Sequence, residues 1–91
     1  MLVLVIYDIT DDELRNKVAS FLKSKGLKRV QKSAFVGDIS YSQMRDVEAG
    51  LSILVRGAKA NIQIYPLTPA SFSQRRIIGA QMDYEAEEYL I

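Results

Sequence analysis

Neither cysteine nor histidine occurs among the 91 residues of the chain. The first absence excludes disulfides and thiolate-held metals. The second removes the commonest side-chain metal ligand and the usual general base at neutral pH. Any catalysis must therefore run on carboxylates, hydroxyls, basic side chains or a hard metal ion. No apolar run approaches the roughly 20 residues that a membrane-spanning helix needs, so no membrane partner is expected. The opening apolar run has no basic leader and meets an acid at position 8, unlike a secretory signal. The cytoplasm is the expected location. Acids are scarce where bases abound. Residues 14–82 hold all twelve Lys and Arg but only Asp38, Asp46 and Glu48, a balance of +9 inside a chain whose net charge is +1. Such segregation suits a phosphate-binding surface, because each neutralised phosphate releases condensed counterions. The plainer alternative is a solvated surface with an acidic tail.

What is present is organised around Leu2-Val3-Leu4-Val5-Ile6-Tyr7-Asp8-Ile9. A short run this rich in branched side chains reads as a strand buried on both faces. Period-2 geometry puts Leu2, Leu4, Ile6 and Asp8 on one face and Val3, Val5, Tyr7 and Ile9 on the other. Asp8 thus ends an apolar stripe, where a carboxylate costs free energy unless it is hydrogen-bonded, paired or bound to a metal.

The rest of the chain supplies the layers. Thr10 to Glu13 has capping-box spacing, Leu14, Val18, Phe21 and Leu22 form one apolar stripe, and Gly26 ends the predicted first helix. Leu27–Gln31 and Ala34–Ile39 are strand-like runs separated by Lys32 and Ser33. They form a tight hairpin or one long bent strand, and the hairpin is favoured. Ser40 and Gln43 repeat the capping-box spacing before a second helix, with Met44, Val47, Leu51, Leu54 and Val55 apolar and Gly57 near its end. Ala60–Leu67 reads as a strand with Ile62 and Ile64 on one face and Asn61, Gln63 and Tyr65 on the other. Pro66 places it at or near an edge. Residues 68–74 read as a turn or one helical turn, Arg75–Ala80 as a short fifth strand, and residues 81–91 as an acidic C-terminal tail.

The order strand, helix, strand, strand, helix, strand predicts one α+β domain over residues 1–80, a ferredoxin-like βαββαβ plait with an extra C-terminal strand. Two helices cover only one sheet face, yet the first strand is apolar on both. A second copy, packed sheet to sheet around a two-fold axis, or the chain's own tail must cover the other. Such an axis would bring two Asp8 carboxylates together, and like charges at short range share a proton or a cation. One Mg²⁺ fits such a pair, with water and phosphate oxygens completing its shell, and it would activate water where no histidine is present to do so. The competing role for Asp8 is a helix cap or a strand-end hydrogen bond. Tyr7, Arg15, Lys17, Arg29, Lys32, Arg75 and Arg76 are candidate phosphate contacts, with Arg15 placed to reach the strand end near Asp8. Phe35 and the tyrosines are candidate base-stacking groups, although Tyr7 faces the helices.

Val5-Ile6-Tyr7-Asp8-Ile9-Thr10-Asp11-Asp12, with Leu14-Arg15-Asn16-Lys17-Val18, resembles the opening of the small CRISPR-associated adaptation proteins, partners of the spacer integrase that are also described as metal-dependent endoribonucleases. The resemblance continues through Arg29 to Asp38, Asp46 to Leu51 and Ile64 to Leu67. It implies a two-fold homodimer, a strand that completes the partner's sheet, and Asp8 as the Mg²⁺ ligand of each protomer. It also implies nuclease or nucleic-acid roles for Tyr7, Arg15, Arg29 and Phe35. Lys17 departs from it, standing where close relatives often carry arginine; the charge survives but the bidentate phosphate geometry does not. Two functional readings follow. One is a nuclease acting on single-stranded RNA or duplex DNA; the other is a non-catalytic DNA-binding adaptor whose C-terminal segment docks the integrase. A small-molecule regulatory module on the same plait is a third class.

Overall fold

A computed structural model describes residues 1–80; the expected acidic tail at 81–91 lies outside the described residues. The elements run β1 (Leu2–Ile9), α1 (Asp12–Ser24), β2 (Lys28–Gln31), β3 (Ala34–Asp38), α2 (Tyr41–Leu54), β4 (Ala60–Leu67) and a short α3 (Pro69–Ser73). The strands form one antiparallel sheet in the order β2-β3-β1-β4. This is the expected ferredoxin-like plait, with β1 central and β4, which carries Pro66, at an edge.

Alternation along β1 sorts its side chains as its sequence pattern requires. Val3, Val5, Tyr7 and Ile9 join Val18 and Leu22 of α1 and Val47 and Leu51 of α2 in the main core. On the opposite face Leu2, Val30, Ala34 and Val36 are buried with Phe72 of α3, and Leu4 and Ile6 are half-buried beside them. The single helical turn after β4 therefore covers part of the face that the sequence leaves to a second copy or to the chain's own tail. What remains for a partner to cover is chiefly Leu4 and Ile6, together with Ile77 and Ile78, which are 52% and 96% exposed.

Local chemistry explains the boundaries. α1 is capped by Asp11, whose carboxylate accepts from the Leu14 amide at 2.7 Å, one position later than the Thr10 box predicts. The shorter carboxylate of Asp11 meets the N3 amide directly, and neither Thr10 nor Glu13 is needed for the cap. Its C-terminus closes as a Schellman motif. Gly26 takes φ +89°, its amide donates to Lys23 and the Leu27 amide donates to Leu22. α2 has the predicted box, with Ser40 and Gln43 bonding each other's backbone amides. α1 and α2 meet where Gly50 faces Phe21. A Cβ at residue 50 would lie 2.3 Å from Phe21 Cζ.

β2 and β3 form the favoured hairpin through Lys32 and Ser33. Among the described residues only glycines have positive φ, and neither Lys32 nor Ser33 does, so this turn is not of the primed type that matches strand twist. A register shift at Val30, between the Arg29–Phe35 and Gln31–Ala34 pairs, absorbs the mismatch. Residues 75–80 carry no strand in the single chain. A strand exists only through its ladder, and this segment pairs with no strand among the described residues.

Candidate functional site

The carboxyl end of β1 gathers most of the predicted site residues, and the sheet then divides them. Asp8 points to the open face and is exposed. Among the described residues its carboxylate has no hydrogen bond or ion pair. The capping role that would have explained it structurally belongs to Asp11. On one side its ladder neighbour is Asn61 of β4. On the other side β3 has already ended, its last pair with β1 being Ile6–Ala34, and only the Tyr7 amide reaches on to the Ser33 carbonyl at 3.0 Å.

Tyr7 lies beneath the helices, 6% exposed, with its ring 6.3 Å from that of Phe35 at an interplanar angle of 23°. Phe35 is fully buried, and the Arg29 guanidinium lies over its ring at 5.1 Å from the centroid. Phe35 thus serves as a platform for Arg29 and Tyr7 and is not available to stack on a base; the expectation that it would is corrected by its burial in the main core. Burial pushes the Tyr7 phenol above its ordinary range, while the nearby Arg29 and Arg15 charges pull the other way. Arg29 lies close enough to act electrostatically, yet no partner meets the buried phenol oxygen, or the buried Arg29 Nε, at hydrogen-bond geometry.

Arg15 does reach the end of β1. It donates from Nη1 to the Ile9 carbonyl at 3.2 Å and from Nη2 to Asp12. Its partners are these groups and not Asp8. Lys17 is exposed and pairs with Glu13 at 3.6 Å along the helix, a contact of small energetic weight on an open surface. Lys32 stands exposed at the hairpin tip, at the same end of the sheet as Asp8. Arg75 and Arg76 lie elsewhere, after α3. Arg75 lies over the Phe72 ring at 4.0 Å and donates to the Phe72 carbonyl at 2.8 Å, whereas Arg76 is exposed and donates to Gln74.

No group of three or more acids, histidines or cysteines that could hold a metal occurs among the described residues. Asp8 is an exposed carboxylate at a strand end with no partner among the described residues, the kind of oxygen donor a hard cation takes. It offers one carboxylate per chain, so a cation site fits this protein only where a second copy supplies another. Alternation along β4 sets Asn61 on the face opposite Ile62 and Ile64 but does not by itself pair it with Asp8. The pairing is a matter of β1–β4 register, between residues more than fifty positions apart in the chain.

The geometry agrees with comparisons to known proteins. The sequence model of the family described as "CRISPR associated protein Cas2" matches residues 1–75. The chain is 49% identical over 65 residues to a CRISPR-associated endoribonuclease Cas2 of Pyrobaculum aerophilum, 71% of each chain being covered. It is 43% identical, over 71% of its own length and 25% of the relative's, to a CRISPR-associated endonuclease Cas1/endonuclease Cas2 fusion of Thermoproteus tenax. Among solved structures, the hypothetical protein TT1823 from Thermus thermophilus superposes with a TM-score of 0.72 at 33% identity, covering 92% of this chain and 96% of that one. With a plait of matching topology and a family match that spans the whole sheet, the chain belongs to the CRISPR-associated Cas2 family.

Proposed function

We propose that the chain acts in CRISPR adaptation as a homodimeric, Mg²⁺-dependent endonuclease on single-stranded RNA or duplex DNA. The observation that carries this reading is Asp8: an exposed carboxylate, free of intramolecular partners, at the end of an apolar stripe on the face a second copy would cover. The relatives described as endoribonucleases support the class of reaction. Asp8 of each copy would hold the cation, which supplies Lewis-acid polarisation and acidifies water when bound. The chain's own contribution is to place basic groups around that point. Arg15 and Lys32 stand at the same end of the sheet, with Lys17 about half a turn further along α1, while Arg76 lies apart from them, beyond α3. These groups bind backbone phosphates and orient the strand. Arg29 and Tyr7, packed on the helix side of the sheet, hold the end of β1 in place. The test is cleavage of single-stranded RNA and of duplex DNA by purified protein with and without Mg²⁺. Cleavage that requires the ion and vanishes in Asp8→Ala supports the reading, and cleavage that persists in that variant overturns it.

A second reading has its own support in the relative that joins a Cas1 endonuclease and a Cas2 endonuclease in one polypeptide. On this reading the dimer is an adaptor that holds DNA and docks the integrase. Charge reversal at Arg75 and Arg76 would then abolish spacer acquisition, while Asp8→Ala would leave it intact.

A further inference from the structure

Residues 14–37 carry seven bases and no acid. Two of the seven, Arg15 and Lys17, pair with Asp12 and Glu13 in the first turn of α1. The other five, Lys23, Lys25, Lys28, Arg29 and Lys32, lie around the C-terminal end of α1 and along β2, which has β3 on one side only and so forms an edge of the sheet. The end of the described chain comes to this edge. Arg75 to Ile78 line one open cleft with Val30 and Gln31 of β2. Lys28 and Gln31 pair with Val36 and Ala34, whose side chains belong to the open face, so Lys28 stands on the same face as that cleft. Three residues after Ile78 the sequence enters residues 81–91, which carry Asp83, Glu85, Glu87 and Glu88 and no base.

We propose that residues 81–91 dock across the basic β2 edge of their own chain and keep it from nucleic-acid phosphates until a nucleic acid displaces them. Reach and charge both fit. Fully extended, a segment of 11 residues spans about 36 Å. The edge from Lys28 to Lys32 spans only about 13 Å, and the segment begins beside it. Each exposed ion pair is weak alone, but tethering holds the acids at an effective concentration in the millimolar range, so several weak pairs suffice. The attraction is between surface charges, and salt therefore releases it. The docking itself goes beyond the function proposed above; its effect on nucleic acid rests on the phosphate contacts of that reading.

Because the chain has no cysteine, one introduced pair reports the docking without background. Gln31→Cys/Ala86→Cys changes no charge, and under mild oxidation at low salt it is expected to close an intrachain disulfide. The comparison pair is Ser52→Cys/Ala86→Cys, in which Ser52 lines the groove beside β4 at the opposite edge of the sheet. The first pair should close about tenfold faster than the second, and high salt should remove the difference. Equal rates at low salt overturn the inference, as does a disulfide that forms only between chains, which would place the segment on a second copy. The second arm is binding of a single-stranded oligouridylate by the whole chain. Asp83→Asn with Glu85→Gln, Glu87→Gln and Glu88→Gln is expected to tighten binding about tenfold at about 50 mM salt and to steepen its salt dependence, since no acid of the chain then stands in for the released counterions. Unchanged affinity in that variant overturns the inference. If neither protein binds the oligonucleotide, the nucleic-acid reading fails, and the disulfide rates still decide the docking.

Discussion

Tyr7 and Asp8 are consecutive in β1 and stand on opposite faces of the sheet, Tyr7 buried beneath the helices and Asp8 exposed on the open side. The pleat thus separates a packing residue from a chemical one within a single dipeptide, and substitutions at the two positions have different signatures. Asp8→Asn removes a charge that has no partner among the described residues. Its stability is expected to stay within about 0.5 kcal/mol of wild type by denaturant unfolding, while Mg²⁺-dependent cleavage is lost. A large loss of stability would mean that Asp8 is structural.

Tyr7→Phe acts on stability and on its pH dependence. Burial holds the phenol above its ordinary pKa of 10.0, so as the pH rises the unfolded chain releases this proton first. Below the unfolded value both states are protonated and the contribution is constant; from about pH 10 upward to the folded-state value, wild-type stability falls. Tyr7→Phe lacks that alkaline loss. Because the hydroxyl is buried without a partner, the variant should be at least as stable as wild type at pH 7. Unfolding curves recorded from pH 7 to 11 that run parallel for the two proteins would contradict this.

The cap of α1 separates two neighbouring residues in the same way. Asp11→Ala removes the acceptor for the Leu14 amide and is expected to cost about 1 kcal/mol. Thr10→Ala should cost much less. The reverse order in urea unfolding would restore the Thr10 cap that the spacing alone suggests.

Gly50→Ala tests the closest approach of the two helices. The added methyl would overlap the end of the Phe21 ring, and the gain in helix propensity is small beside the repacking it forces. A net loss of about 1–3 kcal/mol is expected. The double variant Gly50→Ala/Phe21→Leu should recover part of it, and no recovery would place the strain elsewhere.

The sequence made legible whatever depends on local period and local chemistry. The two faces of β1 follow from alternation over eight residues, and Ser40 with Gln43 marks the start of α2 without reference to anything distant. The cap of α1 was misplaced by one residue because Thr10 and Asp11 are both good cap formers at adjacent positions, and only backbone geometry chooses between them. Phe35 looked like a base-stacking group because an aromatic in a basic stretch carries no mark of burial; the β1–β3 register puts it opposite Val5 in the core. Phe72 was passed over as a cover for the open face because its helix is a single turn without a periodic signal. Asn61 was invisible as a neighbour of Asp8 because strand register is a property of the whole sheet.

Metal-dependent cleavage by this chain requires two copies to bring their Asp8 residues to one cation. A crystal structure of the dimer grown with Mg²⁺ measures this directly. Both Asp8 carboxylates are predicted to lie within coordination range of a single ion, about 2.0–2.1 Å from it. A dimer whose two Asp8 side chains face apart, or whose Mg²⁺ binds away from both, would contradict it.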